Sequence, residues 1–146
     1  MPDLELHNAS PATLGKRLLA ALYDWLLVLG IMMVLSVPAV ALLDDAIEPG
    51  NALYRLALVV IAAAFFVGFW THGGQTLGMR AWHLRLISDR GDGQSQMVSY
   101  RQAALRFLCA WLAALPLGLG FWWALIDKDK LGWHDRLSRT RLVAIP

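Results

Sequence analysis

The chain has 146 residues, 58% of them hydrophobic against 16% charged, where an ordinary soluble domain is roughly half apolar and a quarter charged. Its formal net charge is only +2, and no basic run is interleaved with aromatics, so nucleic acid is set aside as a partner. The apolar residues gather into blocks 18–43, 52–71 and 103–126 with most of the charge between them, which points to one membrane domain over 12–146 behind an N-terminal tail, 1–11.

The first block follows Lys16 and Arg17, but it is too long for the apolar region of a signal peptide and reads as a retained helix. From Trp25 to Leu43 no charged residue occurs, and ~19 residues at about 1.5 Å each cover roughly 28 Å, close to the hydrocarbon thickness. Pro38 lies inside this run and is expected to kink it. Residues 44–51 are acidic and free of Lys and Arg, a short loop.

The second block, Ala52 to Thr71, carries Arg55 near its start, where the long side chain reaches the headgroups as an anchor. A glycine-rich turn over 72–78 follows and allows a tight exit from the membrane. It lacks the Gly-Lys-Ser/Thr ending of a phosphate loop. Trp82, Leu84 and Leu86 alternate with His83 and Arg85, the pattern of a short strand with one apolar face, ended by a turn at 89–93.

The third block is divided by Pro116-Leu117-Gly118-Leu119-Gly120 and fits either one kinked span or a re-entrant hairpin. The tail carries Lys128, Lys130, Arg136, Arg139 and Arg141 and ends in a stretch over 140–145 with strand propensity. Basic residues before the first span and throughout 72–106 place both segments in the cytoplasm by the positive-inside rule. The tail belongs there by the same rule, whereas three full spans put it outside. A re-entrant third block resolves the conflict and lets 82–87 pair with 140–145 on one membrane face.

The candidate site residues are few. Arg17 and Asp24 share one face of the first helix, about 10 Å apart along its axis and too far to touch. Asp24, at the edge of the hydrocarbon, is either a cation or proton site or an interfacial carboxylate packed against basic groups. Trp133-His134-Asp135-Arg136 sets an imidazole beside a carboxylate, but neighbouring residues on a helix point apart and no second histidine has metal-site spacing. No metal site, cofactor or catalytic pair is expected, so the chain does not read as an enzyme. The lone Cys109 reads as packing material.

Arg17 with Asp24, the turn of Gly74, Gln75, Thr76 and Gly78 running to Arg80 and a Leu84-Arg85-Leu86-Ile87 strand, and the tail Trp133-His134-Asp135-Arg136-Leu137 with Thr140 together resemble the RDD family, named for one Arg and two Asp. The likeness covers about residues 12–145 and implies that Arg17, Asp24 and Asp135 are the signature positions. Met79 departs from the lysine usual there. The resemblance implies a multi-pass bacterial inner-membrane protein, some members being reported as cation/proton antiporters and others fused to unrelated domains.

The expectation is thus an all-α membrane protein with two to three transmembrane helices, a short cytoplasmic-face β pairing and a cytoplasmic N-terminus. Its partners are the lipid bilayer and a homo-oligomer or another membrane protein. A tail that folds back pairs Asp135 with Arg17 and leaves Arg80, Arg101 or Arg106 to serve Asp24. Two functions compete: transport of a small cation or other solute by an oligomer, since so few helices do not enclose a path alone, and a non-catalytic membrane scaffold or assembly module.

Overall fold

The computed structural model describes residues 9–43, 50–89, 97–114 and 133–145. Among the described residues, helix α1 (Leu14–Leu43) and helix α2 (Ala52–Thr71) are the two helices long and apolar enough to cross a membrane. Their faces are apolar and uncovered: Leu22, Leu26, Met33, Val34 and Val37 are each more than half exposed, which suits lipid and not water. The chain is therefore a helical membrane protein carrying one small sheet.

Helix α1 passes through Pro38 without a break, although proline gives the Val34 carbonyl no helical donor. Nearby, the Ser36 hydroxyl donates to the Met32 carbonyl and shares a hydrogen bond of 2.7 Å with the Tyr54 hydroxyl. This ties the far end of α1 to the start of α2, while Trp25 meets Phe66 nearer the other end, so the two helices run antiparallel. Asn51 caps α2 by accepting from the Tyr54 N–H, satisfying one of the donors that a helix start leaves open.

The glycine-rich turn does not lead directly into a strand. Thr76 caps a single helical turn, α3 (Leu77–Ala81), and His83 at φ 53° reverses the chain into β1 (Leu84–Ser88). Trp82 and His83 thus belong to the turn, because a left-handed residue cannot continue a strand. Nor does β1 have one wet face: Leu84, Leu86, Ile87 and Ser88 are all buried, since the strand is sandwiched between its partner and the helices.

Helix α4 (Tyr100–Ala114) starts with a capping box: the Gln102 N–H donates to the Ser99 hydroxyl, and the Ser99 N–H donates to the Gln102 side chain. Helix α5 (Trp133–Ser138) leads to β2 (Thr140–Ala144). β1 and β2 are antiparallel, with Leu84 opposite Ala144 and Ser88 opposite Thr140, the pairing expected between 82–87 and 140–145. A further segment joins them, as Pro11 bridges Val143, the Ala12 N–H donates to Leu142 and the Ala144 N–H donates to Ser10. The core lies where this sheet meets α4 and the base of α1 and α2, around Ala20, Val28, Trp70, Leu84, Leu86, Ala103, Phe107 and Leu142. The acidic loop at 44–48, the turn at 90–93, the Pro116–Gly120 division with its aromatic stub, Lys128 and Lys130 lie outside the described residues.

Candidate functional site

Arg17, Asp24 and Asp135 fall into two largely buried clusters at the Arg17 end of α1. In the first, Asp135 stands at the start of α5 with its carboxylate wholly buried. Its Oδ2 accepts from Arg17 Nη1 at 3.0 Å and its Oδ1 from Arg106 Nη1 at 2.5 Å, so one carboxylate joins α1, α4 and the tail. The pairing of Arg17 with Asp135 expected from the sequence is present.

Both guanidiniums have further acceptors. Arg17 Nε donates to the Ala12 carbonyl at 3.1 Å, and Arg106 Nη1 donates also to Thr140 Oγ1 at 2.7 Å. Ser138 Oγ lies 2.7 Å from Thr140 Oγ1 and donates to the His134 carbonyl. Charge-assisted bonds in such a dry setting are strong and directional.

His134 does not point away from its neighbour: its Nε2 comes within 3.5 Å of Asp135 Oδ1, because the buried first turn of α5 folds the imidazole over the carboxylate. Burial and then the Arg106 guanidinium push its pKa down to about 4; Arg17 adds to the lowering, and Asp135 opposes it. The ring is therefore neutral at pH 7, and this contact is not an ion pair.

The second cluster surrounds Asp24, 2% exposed on α1. Its Oδ2 accepts from Thr76 Oγ1 at 2.5 Å and its Oδ1 from the Gly78 N–H at 2.8 Å. The expectation that Arg80, Arg101 or Arg106 serves Asp24 is corrected: among the described residues no basic side chain bonds to it, Arg80 and Arg101 are exposed, and Arg106 is engaged by Asp135. The neutral donors win because α3 lies directly on α1. A Cβ at Gly78 would collide with the Ala20 carbonyl and the Asp24 carboxylate, so only glycine permits that approach.

The rest of the turn motif links α3 to the sheet. Gln75 Nε2 donates to the Leu84 carbonyl at 2.7 Å, and the Gly74 carbonyl accepts from the Leu86 N–H at 2.7 Å. Gly74 has φ +69°, and a Cβ there would strike the Leu86 carbonyl. Arg106 as the second partner of Asp135, with Ser138 and Thr140 behind it, was not read from the sequence. Its signal was an arginine on the face of α4 that buries Ala103 and Phe107, one position where helical spacing demanded an apolar residue. Among the described residues no three His, Cys, Asp or Glu side chains are grouped to hold a metal ion.

Between the clusters and the aromatic side of α2 and α4 lies a cavity of about 280 Å³, with Arg17, Asp24, Arg106 and His134 lining it together with Trp25, Phe66, Trp70, Phe107 and Trp111. No curated protein and no solved structure matches the chain. The RDD family model, however, matches residues 11–139, a span that contains Arg17, Asp24 and Asp135 together with the turn that seats Asp24. The chain belongs to the RDD family.

Proposed function

We propose that this protein is a non-catalytic, multi-pass assembly module of the bacterial inner membrane, in which the Arg17, Asp24 and Asp135 signature is a structural latch. The observation that carries this reading is that the signature side chains are bonded within the chain: Asp135 to two guanidiniums, Arg17 to Asp135 and a carbonyl, and Asp24 to a hydroxyl and an amide. A carboxylate that loads and releases a cation needs exchangeable ligands, whereas both oxygens of Asp24 are engaged, one by a hydroxyl and one by a backbone N–H.

The N-terminus and the tail are cytoplasmic in this reading. Lys16 and Arg17 precede α1, and five arginines lie between Arg80 and Arg106, the bias of an inner face. β1 pairs with β2 and residues 10–12 also bond to β2, which supports one side of the membrane for all three and an even number of crossings. This supports a third block that turns back. With so few spans the protein acts as a homo-oligomer or beside another membrane protein, its basic face meeting anionic lipid.

The test is proton and Na⁺ flux in liposomes, wild type beside Asp24→Asn, with oligomer size measured on the same sample. The latch reading expects no flux from either protein and a shift in abundance or assembly for Asp24→Asn. Gradient-dependent flux that Asp24→Asn abolishes while folding is retained replaces it with the transport reading that the family resemblance raised.

A further inference from the structure

Two residues that line the cavity beside the latch each carry a donor that the latch does not use. Among buried side-chain nitrogens, Trp70 Nε1 and Arg106 Nε have no hydrogen-bond partner, although Trp70 is 6% and Arg106 5% exposed. Both residues line the same cavity, and they form one unit, the Arg106 guanidinium lying 5.3 Å from the centre of the Trp70 ring as a cation–π pair. Orphaned buried N–H groups are rare and call for an acceptor. Two of them on one cavity wall point to a ligand that brings acceptor oxygens.

The remaining wall defines the rest of that ligand. Phe66 stands between Trp25, Trp70 and Phe107, and Phe107 meets Trp111, which makes an apolar slot with a polar end. About 280 Å³ lies just below the usual range of small-molecule sites, roughly 300–1,000 Å³, and suits a slender chain. The formal charges at the polar end, Arg17 and Arg106 against Asp24 and the bonded Asp135, cancel, so the site does not select a net anionic group.

Depth supplies the last constraint. Trp70 is the penultimate residue of α2, whose 20 residues rise about 30 Å, the thickness of the hydrocarbon core. The orphan donors therefore sit at its boundary, where glycerolipid ester groups lie and where tryptophan is enriched.

We propose that this cavity holds one acyl chain of a membrane glycerolipid, with the ester oxygens accepting from Trp70 Nε1 and Arg106 Nε. The inference is independent of the latch reading and of which face of the membrane is cytoplasmic. The lipid completes the wall between α2 and α4 and leaves the headgroup outside, so the site distinguishes the linkage and not the headgroup.

Native mass spectrometry of protein released from vesicles of defined composition tests this. Wild type is expected to retain one diester phosphatidylcholine or one diester phosphatidylglycerol equally, and to retain the dialkyl ether phosphatidylcholine at least ~5-fold less. Ala110→Leu, which narrows the slot without removing a hydrogen-bonding side chain, is expected to lose the retained lipid while staying folded. Trp70→Phe keeps the ring, removes the donor and is expected to shrink the ester-over-ether preference. Equal retention of ester and ether lipids by wild type overturns the proposal, as does undiminished retention by a folded Ala110→Leu variant. Both readouts stand even where Trp70→Phe fails to fold.

Discussion

At the scale of single residues, Asp135 carries the most consequence, because its buried carboxylate binds two guanidiniums from different helices. Removing one partner of a buried ion pair leaves an uncompensated charge and costs about 3–5 kcal/mol. Asp135→Ala, which strands two guanidiniums, is expected to lower unfolding free energy in detergent by that order, and Arg17→Ala by less, because Arg106 still pairs with the carboxylate. The double variant is expected to fall short of the sum by on the order of 1–3 kcal/mol. Strict additivity would show that the two residues do not act as a pair.

His134 makes the latch sensitive to acid. Its folded pKa, about 4, lies below its ordinary 6.5, so its contribution is fully present above pH 6.5 and is lost as the pH falls toward 4, where the unfolded chain takes up the proton first. The groups facing it are Arg106, Asp135 and Arg17. Melting temperature followed from pH 7.5 to 4 is expected to fall in this window for wild type and to fall less for His134→Gln. An unchanged pH profile in His134→Gln would assign the acid sensitivity elsewhere.

At the scale of elements, α3 is a wedge whose seat depends on Thr76 and Gly78. Thr76 Oγ1 donates to Asp24 and accepts from the Met79 N–H, so Thr76→Val removes a helix cap, worth about 0.5–2 kcal/mol, and orphans a buried carboxylate oxygen as well. Thr76→Ser keeps both bonds and is expected to melt near wild type. Gly78→Ala forces the Ala20 backbone away, an overpacking that typically costs about 1–3 kcal/mol. A melting temperature for Gly78→Ala equal to wild type would mean that α3 does not seat on α1 this closely.

At the scale of the whole molecule, the sheet constrains topology more than either long helix does. Because residues 10–12 and β1 both bond to β2, a membrane-impermeant thiol reagent is expected to label Lys16→Cys and Leu137→Cys from the same side, in a background with Cys109 replaced by alanine. Labelling from opposite sides would be incompatible with this pairing and would overturn the proposed even number of crossings.

The sequence by itself determined the membrane class and both long helices, since an uncharged run from Trp25 to Leu43 has few alternatives to lipid. A strand pairing between 82–87 and 140–145, formed at Leu84–Ser88 and Thr140–Ala144, was also legible, as was the meeting of Arg17 with Asp135, through motifs whose order along the chain is distinctive. Only the tertiary structure decided which donor serves which carboxylate. Arg106 and Thr76 each lie within reach of several acids in sequence terms, and the choice rests on a few ångströms of helix approach. The Gly78 contact brings α3 onto Asp24, while the register of α4 against α5 delivers Arg106 to Asp135. Such distances arise from packing between segments far apart in the chain, and no local pattern encodes them.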